Sequence, residues 1–328
     1  MYSVSVVKDS FHRVNGIKSR ITTFELTFPR FILSEFNTHR VFSRNSASSR
    51  AIPAKKQIGA ILKGGFVPKS FGTDIRGMQA GPDLAGAAHD QAVEIWTSSR
   101  NAAVAHAVAL LLGNEKARKY TENPDVLNYS SVQDELLQEL DVYAKVSRAE
   151  ADHEYLNVHK QLANRILEPY SWHTVIVTST EWDNFFALRA NAEAQPEIQT
   201  IARMTLEAYE ASTPQELTEG QWHLPLVQPD EMGEAIKDPE KWRMVSAGRC
   251  ARVSYETHNN KRDTEADVQL FERLYTSGHM SPLEHVARPE PGLDENGELL
   301  WSGNFRGWHQ WRKDFKNEDN FMKVLKSA

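Results

Sequence analysis

A strand that runs directly into a short helix is the feature that most constrains the fold of this chain. Residues 21–28 alternate between apolar and polar side chains, which is the period of a half-buried strand. Pro29 suits the first turn of a helix, whose apolar positions Ile32 and Phe36 share one face with residue 39 or 40. The pattern therefore predicts that the strand and the helix hold the start of the following polar residues in a fixed position.

The polar residues 38–50, here called the polar segment, have the sequence THRVFSRNSASSR. They include three arginines, one histidine and six short hydroxyl or amide side chains. Arginine can form bidentate hydrogen bonds with phosphate, and serine hydroxyls and loop N–H groups add short donors. The composition suits a phosphate-binding loop, although an ordinary polar junction after a helix explains the same residue types equally well.

The size and charge of the chain limit the classes of protein to consider. Its 328 residues are 40% hydrophobic and 25% charged, as in a globular protein of one large domain or two ordinary ones. The net charge of −6 argues against stable binding to nucleic acid, which requires the neutralisation of many phosphates. The sequence shows no bilayer-spanning apolar run and no secretory signal at its start, so we expect no membrane association and a cytoplasmic location.

The single cysteine, Cys250, excludes an internal disulfide and a thiolate zinc cluster. The nearby Arg249 and Arg252 could activate its thiol, but free cysteines are more often buried apolar residues, and we favour a buried Cys250. Two histidines and a glutamate crowd residues 279–285 without the spacing of a known metal motif, so no metal site is predicted. The sequence also lacks the GxGxxG and GxxxxGK phosphate-binding motifs.

The middle of the chain combines helical patterns with a second strand. Glycine-rich and then helical patterns between about residues 51 and 157 predict an inserted helical layer, in which residues 114–125 join two helices. Residues 173–180 have the composition of a buried strand. Thr180 is expected to cap the next helix, and Pro196 is expected to kink it.

The last third of the chain is predicted to begin with a polar linker over residues 215–240, which contains several prolines. A short amphipathic helix follows, with an apolar stripe between residues 268 and 275. Thr264 and Asp267 form a capping pattern at its start, and Gly278 is expected to end it.

The polar segment resembles the signature of the flavin-dependent thymidylate synthases, RHRxxSxNExSxR. The fixed positions that match in register are His39, Arg40, Ser43, Asn45, Ser48 and Arg50. Thr38 replaces the first arginine of the signature, and Ser46 stands at its acidic position. Three more stretches are similar to family patterns: residues 163–169 to ARxxLP, residues 185–190 to FLxLRA and residues 194–199 to AQWEIR.

Residues 246–288, here called the permuted segment, resemble a block with ARVSF and GHETPFEH that precedes the signature in typical family members. The resemblance therefore implies a circularly permuted order of segments. It further implies one catalytic domain over residues 1–328, with a helical insertion at about residues 52–158 and a basic and aromatic C-terminal segment at residues 300–316. The implied fold is α+β, with a helix-flanked, mostly antiparallel sheet, and the implied assembly is a homotetramer.

The resemblance also implies roles for individual residues. Arg50 and Arg165 would bind the nucleotide phosphate, Ser48 would lie beside the nucleotide, and Arg189 would contact and polarise the pyrimidine. Ser48 and Arg189 are thus the predicted catalytic residues. The predicted flavin-binding residues are His39, Arg40, Asn45, Ser46, Asn184, Ser254, His279 and Ser281.

Some positions depart from the family pattern. Thr178 and Thr180 stand where the family has asparagine and arginine, and Ala51 replaces a tyrosine. We hypothesise that the C-terminal segment supplies the missing contacts, although a solvated basic face of a terminal helix explains its charges as well. The residues considered for this role are Arg306, Gln310, Arg312 and Lys313.

The implied activity is the FAD-dependent reductive methylation of dUMP to dTMP, with NADPH as reductant and methylenetetrahydrofolate as carbon donor. No activated cysteine is needed, in contrast to the classical thymidylate synthases.

Two alternative functions stay open. Glu35 replaces a glutamine and could accept a hydrogen bond from the amino group of dCMP or another pyrimidine deoxynucleotide, although a solvated helix residue is also consistent with Glu35. A noncatalytic nucleotide or nucleic-acid binding protein on the same scaffold would explain the altered signature.

Overall fold

The computed structural model describes residues 1–149, 154–255 and 262–315, so parts of the predicted insertion, permuted segment and C-terminal segment lie outside the described residues. The strands of the described part are β1 (Ser3–Val14), β2 (Ile17–Pro29), β3 (Ser43–Ser46), β4 (Trp172–Ser179), β5 (Gln215–Glu216), β6 (Ala287–Pro289), β7 (Trp301–Ser302), β8 (Phe305–Arg306) and β9 (Trp308–Gln310). The helices are α1 (Leu33–Asn37), α2 (Ala54–Gly64), α3 (Ala87–Leu112), α4 (Asn114–Glu122), α5 (Ser130–Ala149), α6 (Lys160–Ala163), α7 (Asp183–Arg189), α8 (Pro196–Ala211), α9 (Met232–Lys237), α10 (Pro239–Arg252) and α11 (Thr264–Thr276). Short 3₁₀ turns occupy Arg30–Ile32, Pro124–Asn128, Arg165–Tyr170, Pro229–Glu231, Val253–Tyr255, Ser281–His285 and Trp311–Asp314.

The main sheet has the strand order β3-β4-β2-β1-β5. Its pairings are antiparallel except for the short parallel pairing of β1 with β5. The predicted strand at residues 21–28 is the centre of this sheet, and the predicted strand at residues 173–180 is its neighbour β4, so both predictions are confirmed. The α+β class with a mostly antiparallel sheet is confirmed as well.

The two faces of the sheet are covered by different parts of the chain. On one face, Phe24 and Phe28 of β2 are fully buried and pack with Phe36 of α1. On the other face, Ile176 of β4 packs against Cys250 of α10. The predicted burial of Cys250 is confirmed, and burial raises the pKa of its thiol, so the group stays protonated at neutral pH.

Helices α2 to α5 form a layer with an apolar core of its own. Members of this core are Ile58, Val104, Val108, Leu136 and Leu140. The prediction that residues 114–125 only join two helices was wrong, because most of them form α4. Ala117 and Tyr120, one turn apart on α4, are fully buried and bind this highly charged helix to the layer. Within the described residues, no helix combines the length and the apolarity needed to cross a bilayer.

The predictions for the helices after β4 were wrong at two positions. Thr180 does not cap α7, which begins at Asp183; its hydroxyl instead accepts a hydrogen bond from the backbone N–H of Arg306 at 2.9 Å. Pro196 does not kink a continuous helix. It is the first residue of α8, where the missing N–H of proline leaves no hydrogen bond unmade.

The predicted linker over residues 215–240 was also wrong, since it contains β5, α9 and several buried residues. Gly278 follows the last turn of α11 with a φ of 81°, as expected for a helix end. The capping pattern was wrong at the start of α11. Asp263 is the N-cap and accepts a hydrogen bond from the N–H of Ala266, whereas Asp267 is fully buried and forms ion pairs with arginines of α10.

Candidate active site

The polar segment is held as an edge strand of the main sheet over part of its length. Residues 43–46 form β3, which pairs with β4 in the register Ser43 to Thr178. The backbone N–H of Ala47 extends this pairing by donating to the carbonyl of Thr174 at 2.9 Å. The segment is therefore more rigid than the loop expected from its composition, and β3 separates its first residues from its last ones.

Arg189, at the C-terminal end of α7, contacts the first residues of the polar segment. Its Nε donates to Nε2 of His39 at 3.1 Å, and its Nη2 donates to the hydroxyl of Thr38 at 3.0 Å. The His39 ring is buried and stacks on Phe42 with 5.6 Å between ring centroids. Burial and the positive charges of Arg189 and Arg44 lower the pKa of His39 to about 4. At neutral pH the ring is thus uncharged and carries its proton on Nδ1, because Nε2 accepts from a guanidinium that is always a donor.

The middle of the polar segment contacts the permuted segment directly. The carboxamide nitrogen of Asn45, oriented toward acceptors, donates to Nε2 of His285 and to the carbonyl of Ser281, both at 3.2 Å. The opposite orientation would direct an oxygen at the Ser281 carbonyl, which is itself an acceptor. The backbone N–H of Ser48 donates to the carbonyl of Ser254 at 3.1 Å. Two segments that are far apart in sequence therefore meet within one chain.

Glu168 binds residues near the C-terminal end of the polar segment. One of its carboxylate oxygens accepts from the hydroxyl of Ser49 at 2.9 Å and from the guanidinium groups of Arg30 and Arg165, both at 3.1 Å. Asn164 adds a hydrogen bond from its amide to the carbonyl of Ser49 at 2.8 Å. This cluster fixes the backbone next to Arg50 and orients the exposed Arg165.

Several cations of the site have no acidic partner in the part of the chain that the structure describes. In residues 1–149, 154–255 and 262–315, Arg40, Arg50 and Arg189 form no ion pair with a carboxylate. The side chains of Arg40 and Arg50 are exposed, and that of Arg189 is half-buried. Guanidinium groups without a carboxylate partner among the described residues, two of them on the polar segment and one on α7, are suited to binding an anion.

The predicted site residues fall into two groups at opposite ends of β3. Arg189 and His39 lie at one end, and Arg165 and Ser49, which precedes Arg50, are joined through Glu168 at the other. The structure brings Asn45 and Ser48 together with the permuted segment. Of the other predicted residues, Glu35 lies in α1, Asn184 in the first turn of α7, Ser46 at the end of β3 and Ser254 in the 3₁₀ turn Val253–Tyr255, whereas Arg40, His279 and Ser281 are exposed.

The C-terminal segment reaches the polar segment through Gln310. Its amide donates to the hydroxyl of Ser43 and to the carbonyl of Glu284, both at 3.1 Å. Arg312 pairs with the carboxylate of Glu284, and Arg306 pairs with that of Glu298. The alternative of an amphipathic helix over this segment was wrong for its described residues, because 301–302, 305–306 and 308–310 form β7, β8 and β9.

Sequence analysis missed Glu168 and His285 as organising residues. When Arg165 and Pro169 are aligned with the pattern ARxxLP, Glu168 stands at the leucine position. A carboxylate in place of an apolar residue close to Arg165 could have indicated its role. His285 was noted only as a weak metal-ligand candidate. Among the described residues, no cluster of three or more histidine, cysteine or acidic side chains is arranged to hold a metal ion.

Comparison with known proteins identifies a family. A family model described as thymidylate synthase complementing protein matches residues 20–215. The matched range contains the polar segment, Arg165 and Arg189, and ends before the permuted segment. A search of curated proteins gave no match.

Proposed function

The chain belongs to the thymidylate synthase complementing protein family, and we propose on this basis that it catalyses the FAD-dependent methylation of dUMP to dTMP. Methylenetetrahydrofolate would donate the carbon, and NADPH would be the reductant. The observation that carries the proposal is the polar segment itself. It lies within the matched range and presents Arg40 and Arg50 without an acidic partner among the described residues.

Arg50 and Arg165 would bind the phosphate of the nucleotide. Glu168 supports this role by fixing Ser49 and by holding one side of the Arg165 guanidinium, while the exposed remainder stays available to an anion. A preorganised guanidinium loses less conformational freedom on binding than a mobile one. Ser48, whose N–H is tied to Ser254, would offer its hydroxyl to the nucleotide.

Arg189 would polarise a carbonyl of the pyrimidine so that carbon-5 becomes nucleophilic. Its contacts with Thr38 and His39 hold two of its nitrogens in fixed positions. The imidazole of His39 is neutral and accepts from Arg189, so it holds the guanidinium in place without cancelling its positive charge. That charge stays available to the negative charge that develops on the substrate oxygen. A fixed cation directed at developing charge is an effective electrostatic catalyst.

The described residues also suit a flavin. Asn45 of β3 contacts Ser281, Ser48 just after β3 contacts Ser254, and the exposed side chains of Arg40 and His279 add charged and polar donors. When bound, FAD would carry the hydride from NADPH to the methylated pyrimidine. The part of these residues would be to bind and orient the ring system and to exclude water from it.

The order of segments and the assembly are part of the proposal. The family match ends at residue 215, and a block resembling the N-terminal part of typical members follows it at residues 246–288, which supports a circular permutation. The contacts of Asn45 and Ser48 with that block support a single catalytic domain. We further propose a homotetramer in the cytoplasm.

Glu35 favours dCMP as a second candidate substrate. Its backbone carbonyl accepts from the hydroxyl of Thr38, which in turn accepts from Arg189. The carboxylate therefore belongs to the turn next to the predicted pyrimidine contact, where it could accept a hydrogen bond from an exocyclic amino group.

The test begins with the visible absorption spectrum of the purified protein, which should show bound flavin. Tritium release from carbon-5 of labelled dUMP and dCMP is then compared, with NADPH and methylenetetrahydrofolate present. Release from dUMP supports the first candidate, and release from dCMP alone supports the second. A colourless protein that takes up no FAD but binds oligonucleotides with a steep salt dependence would instead be a noncatalytic binding protein.

A further inference from the structure

A continuous line of hydrogen bonds crosses the main sheet and has one end at Asn45, one of the predicted flavin-binding residues. It starts at Asn45 and His285, which are 3.2 Å apart, and continues from His285 Nδ1 to the hydroxyl of Thr178 at 2.8 Å. The Thr178 and Thr23 hydroxyls are 2.7 Å apart, and Thr23 is 2.8 Å from Nε2 of His223. The line ends between His223 Nδ1 and the hydroxyl of Ser10 at 3.0 Å. We call these side chains the relay.

The relay has one consistent direction. Because the Asn45 amide donates to Nε2 of His285, the proton of that ring is on Nδ1 and is donated to Thr178. The Thr178 hydroxyl then donates to Thr23, and Thr23 donates to Nε2 of His223. The proton of the second ring is therefore also on Nδ1, where it is donated to Ser10. Every ring nitrogen in the relay has a partner of the correct type.

The surroundings keep the relay neutral and dry. Ser10, Thr23, Thr178, His223 and His285 are all fully buried. Burial lowers the pKa of His285 to about 3 and that of His223 well below its ordinary value. Neutral hydrogen bonds in such an interior have no water to replace a missing partner, so the loss of one hydroxyl leaves neighbouring groups unsatisfied.

We propose that Thr178 and His285 are positioning residues of the flavin site, which act by fixing the amide of Asn45 and, through it, the backbone of Ser281. This inference rests on the proposed function. Asn45 is the only relay member on the polar segment, and the remainder anchors it to strands β4, β2 and β1. Thr178 takes the position of an asparagine in the family pattern, and here its short hydroxyl joins the relay.

The experiment removes a single hydroxyl. Thr178→Val keeps the shape of the side chain but breaks the relay, whereas Thr178→Ser keeps the hydroxyl. Thr27→Val is the matched control, because it breaks another threonine pair of the same two strands, Thr27 with Thr174 at 3.0 Å, outside the relay. We expect Thr178→Val to weaken FAD binding about tenfold and to alter the absorption spectrum of bound flavin. Thr178→Ser and Thr27→Val should both retain the wild-type affinity and spectrum.

The outcomes separate this inference from the proposed function. If the wild-type protein binds no FAD, the proposed function fails and the positioning role fails with it. If the wild type binds FAD and Thr178→Val binds it equally well with the same spectrum, only the positioning role is overturned. An equal loss in Thr178→Val and Thr27→Val would also overturn it, because the effect would then be a general weakening of the β2 and β4 pairing.

Discussion

The contact between Arg189 and His39 couples a predicted catalytic cation to a buried neutral ring. The ring is uncharged because it is buried and because two arginines stand near it. A charged imidazole at this position would repel Arg189 and would have no acceptor for its second proton on that side. Arg189 can therefore keep its hydrogen bond to His39 only while the His39 ring is neutral.

Replacement of Arg189 is expected to raise the pKa of His39. Arg189→Met removes the charge but keeps most of the side-chain volume, so the pKa should rise from about 4 while staying below its ordinary value because of burial. Arg189→Lys retains a positive charge and should leave the pKa low. NMR titration of the ring measures both. A His39 pKa that is the same in Arg189→Met and the wild type would contradict the coupling.

Glu168 is expected to matter more for stability than an ordinary surface carboxylate. Its side chain is 25% exposed and accepts from three donors, so Glu168→Gln should lower the free energy of unfolding by about 1–3 kcal/mol. Glu122→Gln is the control, since Glu122 and Arg118 form an exposed pair, and its effect should be below about 0.5 kcal/mol. Urea denaturation measures both variants. Equal effects would show that the Glu168 cluster contributes no more than a surface pair.

Single residues also show where sequence patterns stop being informative. Thr264 and Asp267 have the spacing of a capping pair, and only the fold shows that Asp267 is bound to Arg249 and Arg252 of α10. These partners lie on a different helix, and helix periodicity carries no information about them. In contrast, the buried state of Cys250 followed from the general behaviour of free cysteines.

Among the elements, those with a clear apolar period were predictable. β2 and β4 show it, and so does α11 within its apolar stripe. Helix α4 escaped prediction because its charged residues hide a narrow buried face made by Ala117 and Tyr120. The short strands β7 to β9 escaped as well, since two or three residues are too few to show a period.

The packing of α10 on α11 depends on a buried ionic cluster and is open to a direct test. Asp267 of α11 is fully buried and accepts from Arg249 at 2.9 Å and from Arg252 at 2.6 Å. Asp267→Asn removes the carboxylate charge that Arg252 and Arg249 share, of which, among the described residues, Arg249 alone keeps a second carboxylate partner in Glu231, and should destabilise the protein by about 3 kcal/mol. Asp263→Asn on the same helix keeps a good N-cap and should have little effect. Chemical denaturation of both variants is the measurement, and similar stabilities of the two would contradict this account.

At the scale of the whole molecule, the candidate site is assembled from five separate stretches, one of which is α7 with Arg189. The other four are the polar segment, the turn at residues 165–170, the permuted segment and the C-terminal segment. The resemblance of individual stretches to a family made their roles predictable. The partners that connect them, such as Gln310 with Ser43, depend on chain reversals that no local pattern records. The separation of Arg189 from Arg165 by β3 was not foreseen for the same reason.

The whole protein is expected to lose stability in mild acid because its buried histidines are neutral. Burial lowers the pKa of His39 to about 4 and those of His173 and His285 to about 3. The unfolded chain binds these protons near an ordinary pKa of about 6.5. The contribution of these histidines to the free energy of unfolding is therefore fully present above that pH and decreases as the pH falls toward the folded-state pKa values. Each such group contributes up to about 1.4 kcal/mol per pH unit in this window. His173→Gln removes one of them, and the acid slope of the unfolding free energy, measured by urea denaturation between about pH 6 and 4.5, should decrease by that amount. A slope equal to that of the wild type would contradict this account. It would mean that His173 binds its proton as readily in the folded protein as in the unfolded chain, although a guanidinium nitrogen of Arg30 lies 3.1 Å from its ring.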